Sequence, residues 1–272
     1  MARACQILNI SRQAYYQQRK RAHKQQGIEH AVLAFVRHER ILQPRIGTRK
    51  LLHLLKLQTD LSIGRDRFFD LLKRHRLLVK KQRAYHKTTQ SNHHFWCHPN
   101  LLKASPKQVQ ADGPEQVWVA DITYLPVRQG EAYLSLVTDA FSRKIVGYHV
   151  HGDLRAESVL TAYKTALRQR NTTNSLVHHS DRGIQYCSKL YQAEHRRHRV
   201  RCSMTDGYDC YQNALAERVN GILKTEYLLV KPENLEQAAL MVGESVRFYN
   251  EKRPHMALKY KTPDEVHRAF LT

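Results

Sequence analysis

Trp118-Val119-Ala120-Asp121-Ile122-Thr123 lies within an apolar, β-branched run from Trp118 to Leu125. Such a run predicts a strand, with one carboxylate in its middle. Arg128-Gln129-Gly130 then signals a hairpin into a second strand over 132–138, and residues 143–150 supply a third. Residues 156–170 have the period of an amphipathic helix, with Leu160, Tyr163, Ala166 and Leu167 on one face. A short strand over 176–179 ends just before Asp181, residues 188–197 read as helix, 200–204 as a fifth strand, and 212–229 as a long helix carrying Glu217. The order βββαβαβα describes an α/β domain with a mixed five-stranded sheet and flanking helices, its first three strands antiparallel.

Asp121, Asp181 and Glu217 are the informative acids. Asp181, in His179-Ser180-Asp181-Arg182-Gly183, falls just past the carboxyl end of a parallel strand, where open sheets place ligands. On the helix, Asn213 to Glu217 advances about 40° past a full turn and Glu217 to Lys224 stops about 20° short of two, so the three share a face. Lys224 then lies about 10 Å further along the axis, a suitable distance for a neighbouring phosphate.

The chain has 272 residues and a formal net charge of +21, unevenly spread: residues 1–110 carry +18 and residues 111–272 carry +3. That imbalance attracts a polyanion, chiefly to the first part. Acids near a nucleic-acid groove repel phosphate and weaken binding, so acids kept there need another task. Magnesium prefers hard oxygen ligands, and two ions about 4 Å apart can serve the attacking and leaving oxygens of an in-line displacement. Composition and carboxylates together point to metal-dependent phosphoryl transfer on DNA.

The first part reads as helical. Ser11 is an N-cap, and the Ala4–Tyr16 stretch is read as the final half of a helix-turn-helix, followed by a linker to residue 27. Residues 28–80 read as a basic helical DNA-binding domain: a helix over 28–42, one begun by Gly47-Thr48 with Leu51, Leu54 and Leu55 inward, and one begun by Ser62-Ile63-Gly64. Arg49, Lys50, Arg65 and Arg67 are its candidate DNA contacts, as in a major-groove reader; a helical hairpin that only stabilises its neighbour is the alternative. Residues 81–112 read as a linker able to track phosphates, and 113–272 as the catalytic core. Five cysteines without framework spacing suggest a reducing cytosol, and no apolar run is long enough to span a membrane. The cluster from His93 to His98 lacks the paired spacing of a zinc site.

The 35 positions between Asp181 and Glu217, with Lys224 seven residues beyond, resemble the pattern of DDE transposases and retroviral integrases. Four motifs carry the resemblance further: Trp118 to Thr123, His179 to Tyr186, Asn213 to Glu217 with Leu223-Lys224-Thr225-Glu226, and Tyr249 to His255. They are similar to the second-frame transposases of one large bacterial insertion-sequence family, over about residues 40–270. The resemblance implies a ribonuclease-H-like core preceded by a helix-turn-helix-like domain. In it Asp121, Asp181 and Glu217 bind two magnesium or manganese ions. It further implies cleavage at transposon ends, followed by attack of the freed 3′ hydroxyl on another phosphodiester. Double-stranded DNA, as terminal repeats and target, is the implied partner. A homo-oligomer on DNA, an upstream-frame DNA-binding protein, and a bacterial cytoplasmic location associated with the nucleoid also follow.

Arg182, Arg253 and His255 match family positions and are candidate phosphate or strand contacts, with structural turn residues as the alternative; Asn213 and Lys224 complete the DNA set. The family usually has Asp before the Asn of the glutamate helix, where this chain has Gln212. Asp139 is either a fourth carboxylate or the cap of a turn. Two other functional classes are a catalytically inactive repressor or inhibitor of a related transposase, which the presence of all three acids argues against, and a host nuclease whose reaction stops at hydrolysis.

Overall fold

The structure, a computed structural model, describes residues 11–80, 96–206 and 213–270. The chain divides into two compact units, Met1–Lys81 and Gln82–Thr272.

In the first unit Ser11 caps helix α1, Arg12–Leu42, accepting the Ala14 amide at 3.0 Å. The expected linker before residue 28 is not a break, because α1 runs through it without interruption. Ala, Gln, Lys and Arg are good helix formers, and one interior glycine, Gly27, costs only about 1 kcal/mol against them. Residues 4–10 of the stretch read as the final half of a helix-turn-helix lie outside the described ones. Helices α2, Thr48–Gln58, and α3, Arg65–Arg74, begin after Gly47 and Gly64 as their sequence signals predict. Val32, Val36, Ile46, Leu51, Leu55, Phe68, Leu71 and Leu72 form the core of this unit.

The second unit is the expected mixed sheet. Its strands are β1 (Val117–Leu125), β2 (Ala132–Asp139), β3 (Ile145–His151), β4 (Val177–Ser180) and β5 (Arg201–Met204), in spatial order β3-β2-β1-β4-β5. β1 to β3 form an antiparallel meander, and β4 and β5 join parallel beside β1. Alternation along the strands supplies two apolar faces. Trp118, Ala120 and Val137 pack with Val159, Leu160 and Tyr163 of α4, Ala156–Arg168. On the other face, Leu125, Leu134 and Leu136 pack with Val219 and Ile222 of α7 (Ala214–Ile222) and with Val242 and Val246 of α8 (Leu235–Glu251). Gly147 lets α4 approach β3 closely: a Cβ there would stand 2.2 Å from the Ala162 carbonyl oxygen. Short helices α5, Ile184–Cys187, and α6, Lys189–Arg197, connect β4 to β5, and α9, Pro263–Arg268, follows α8.

Two boundaries differ from the sequence reading. The described end of the expected 81–112 linker lies along β5: the Met204 amide donates to the Pro99 carbonyl, and the Leu101 amide to Ser203 Oγ at 2.9 Å. The predicted single helix over 212–229 is α-helical only to Ile222, after which Leu223–Tyr227 widen into a π-helical turn. Among the described residues no helix is long and apolar enough to cross a membrane.

Candidate active site

Strand pairing brings the first two acids to the same end of neighbouring strands. In the β1–β4 ladder Val117 pairs with Val177, Trp118 with His178 and Val119 with His179, each partner 60 positions later. Asp121 lies two residues beyond the last β1 position paired with β4, and Asp181 one residue past the end of β4, so both acids leave the ladder at the same end. The acids interact electrostatically. Desolvation, followed by the charge of Asp181, pushes Asp121 up to about 7; a hydrogen bond from Asn220 opposes the rise and Glu217 adds to it. Partial desolvation and the charge of Asp181 also push Glu217 upward. Like charges raise one another in this way only when they share a small region.

Local chemistry fixes each acid differently. Asp181 Oδ1 accepts the Gly183 amide at 3.0 Å, a tight turn that explains the Asp181-Arg182-Gly183 motif. A Cβ on Gly183 would stand only 3.0 Å from that same oxygen. Asp121 Oδ2 accepts Asn220 Nδ2 at 2.8 Å. Glu217 lies on the first turns of α7 with an exposed side chain. Among the described residues no three His, Cys, Asp or Glu side chains are drawn together into a ready cage for an ion. What the three acids offer is a set of hard oxygen donors with mutually repelling charges, and that chemistry suits a divalent cation.

Three side chains of the glutamate helix and its π turn attach to β1. Asn213 Nδ2 donates to the Ala120 carbonyl at 3.0 Å, Asn220 Nδ2 to Asp121, and Lys224 Nζ to Thr123 Oγ1 at 2.5 Å. Burial pushes Lys224 downward while the charge of Asp121 opposes it. Sequence reasoning missed Asn220. Its signal was present, since Asn220 follows Asn213 by seven residues and precedes Lys224 by four, a helical face of polar groups.

Several expected DNA contacts have work inside the fold. Asn213 is buried on β1. Arg253, 4% exposed, makes two hydrogen bonds of 2.8 Å to the Glu226 carboxylate, and its Nη1 lies 3.0 Å from His255 Nε2; His255 is buried too. Arg253 and His255 take the structural alternative, the Arg253 guanidinium being buried and engaged with a carboxylate. Asp139 is fully buried and accepts the Ser142 amide and hydroxyl and the Glu115 amide, which makes it a cap. Arg182 Nε donates to the Thr205 carbonyl at 2.7 Å, tying the Asp181 turn to the chain leaving β5. In the first unit Arg49 is exposed and Lys50 half-buried, Arg65 pairs with adjacent Asp66, and Arg67 lies 3.5 Å from Glu29.

Comparison with known proteins gives a consistent result. Two families, each described as an integrase core domain, match residues 111–210 and 198–263. The chain is 34% identical over 268 residues to an uncharacterized 31 kDa protein of insertion element IS600 from Shigella sonnei, covering 95% of both chains. It is 32% identical over 230 residues to the transposase InsF for insertion sequence IS3A from Escherichia coli (strain K12), covering 82% of this chain and 77% of that one. Among solved structures, a chain of the simian T-cell lymphotropic virus intasome in complex with the PP2A regulatory subunit B56 gamma aligns with a TM-score of 0.50 at 17% identity. That alignment covers 81% of this chain and 70% of the other, and the likeness is one of fold.

Proposed function

This chain belongs to the DDE transposases of bacterial insertion sequences, the family of the IS3 transposases, and from that premise we propose that Asp121, Asp181 and Glu217 hold the divalent metal of its strand-cleaving and strand-joining reactions. The protein is a DNA transposase with an integrase catalytic core, a polynucleotidyl transferase. The observation that supports the assignment is the electrostatic interaction among Asp121, Asp181 and Glu217, with the two aspartates at the same end of the β1–β4 ladder.

Two magnesium or manganese ions, when bound there, supply activation of the attacking oxygen and stabilisation of the leaving one. The chain's own groups arrange the donors. Asn220 fixes one oxygen of Asp121 and leaves the other directed by the strand. The Gly183 amide orients Asp181, and Lys224, anchored on Thr123 beside the acids, contributes a positive charge for substrate phosphate. No covalent protein–DNA intermediate is required, because a water and then a 3′ hydroxyl are the nucleophiles. Arg49, Lys50, Arg65 and Arg67 provide phosphate contacts on the first unit, and the transposase acts on its terminal repeats and target as a homo-oligomer.

The test is strand joining with purified protein, magnesium and labelled element ends. Asp121→Asn and Glu217→Gln are expected to retain DNA binding and lose both cleavage and joining by at least about 100-fold. Undiminished joining by either variant would remove the metal assignment. Cleavage by the wild type with no joining would favour a nuclease.

A further inference from the structure

We propose that the solvent-facing stripe of α1 formed by Arg12, Tyr16, Arg19, Lys20, His23 and Lys24 is a binding surface for duplex DNA. Arg12, Tyr16, Arg19 and His23 recur at steps of four, three and four, and Lys20 and Lys24 flank them by one position, so all lie along one side of the helix. Every one of these residues is exposed. The same line continues in steps of seven through exposed His30 and Arg37, turned away from the buried side of α1 marked by Val32 and Val36.

Charge is sorted between the two sides. The only acids in α1 are Glu29 and Glu39. Glu29 faces α3, where its carboxylate meets Arg67 at 3.5 Å and Arg74 at 3.2 Å, and Glu39 is buried. A helix face kept merely soluble mixes both signs and gains from acid–base pairs four residues apart. This face instead offers cations with an interleaved aromatic ring, the complement of a phosphate backbone. Gly27 adds a separate indication. It lies inside the helix on the same side, a Cβ there would meet nothing within 4 Å, and glycine costs the helix about 1 kcal/mol against alanine. Packing does not require a glycine at this position, and the missing side chain leaves the helix backbone open to a ligand.

Dimensions and composition favour a duplex. Arg12 to His30 spans about 27 Å of helix, within one turn of B-form DNA, whose major groove is about 12 Å wide and admits an α-helix. Single-strand binders present successive aromatic platforms, and this face has only Tyr16. The inference rests on the proposed function for its ligand and adds a contact ahead of residues 28–80.

Fluorescence anisotropy of the full chain with a mixed-sequence duplex of about three helical turns (~30 bp) tests it. Arg19→Ala/Lys20→Ala is expected to weaken binding roughly tenfold at moderate salt and to lower the slope of log affinity against log salt by about 2, one phosphate per side chain. Arg196→Ala/Arg197→Ala, on α6, is expected to leave that slope unchanged and controls for net charge; circular dichroism confirms that both variants fold. An unaltered slope in the α1 variant, an equal loss in the α6 variant, or competition by single-stranded RNA in preference to duplex would overturn the proposal. Stripe-dependent binding by a chain that never joins strands would retire the catalytic reading and support the stripe.

Discussion

Asp121 contains the sharpest conflict in the molecule. It sits on the central strand, close to two other acids, and its proton is held up to about pH 7 against an unfolded value near 4. A carboxyl whose folded pKa is raised contributes stability below its unfolded pKa and loses it as pH rises toward the folded one. For metal-free protein that window runs from about pH 4 to about pH 7. Asp121→Asn, which keeps an oxygen to accept from Asn220, is therefore expected to raise the stability of the metal-free protein at pH 8 by on the order of 2 kcal/mol. The gain shrinks toward pH 4. Thermal melts in chelator at both pH values measure it, and a lower melting temperature for the variant at pH 8 would mean that the ionised acid stabilises the fold. Under the proposed metal assignment, a bound cation would offset the repulsion among the acids.

At the scale of elements, β4, α4 and α6 share an aromatic and imidazole cluster. Tyr163 Oη lies 2.9 Å from His195 Nδ1, and Tyr191 Oη 3.2 Å from His178 Nε2, all four rings buried. Burial holds His195 down to about 3 and His178 well below its ordinary value. Both imidazoles stay neutral in the fold while the unfolded chain takes up protons below about pH 6.5. Stability from these groups is thus complete above that pH and falls as pH drops toward 3. His195→Phe is expected to flatten the fall by up to one proton, about 1.4 kcal/mol per pH unit, in denaturant titrations between pH 6 and 4. An unchanged slope would show that His195 charges without opening the cluster. The cluster is not legible in the sequence, because histidine and tyrosine in a strand or helix do not announce whether they face solvent or one another.

For the whole chain, charge is the dominant long-range fact. The +18 on residues 1–110 against +3 on the remainder requires DNA affinity that depends steeply on salt. With six or more phosphates neutralised, affinity is expected to fall by about 1000-fold or more between 50 and 200 mM salt. A titration of duplex binding against salt measures this, and near-constant affinity would contradict an electrostatic mode of binding.

The sequence alone determined the order of elements and the antiparallel meander followed by parallel strands, and it singled out the three acids on which the proposed site rests. Those features follow from local periodicity and from residue types whose chemistry is narrow: β-branched runs, glycine starts, a carboxylate where an apolar residue would serve better. Tertiary structure decided what each polar group faces. Arg253 and His255 look like surface cations until Glu226 and Tyr249 close over them, and Asn220 looks like any helix residue until β1 supplies Asp121. The linker that becomes helix in α1 and the π turn at Leu223 depend on small differences in backbone energy that a residue pattern does not resolve. Hydrogen bonds between residues about 100 positions apart are fixed by sheet register and helix packing, and periodicity within either segment alone does not specify them.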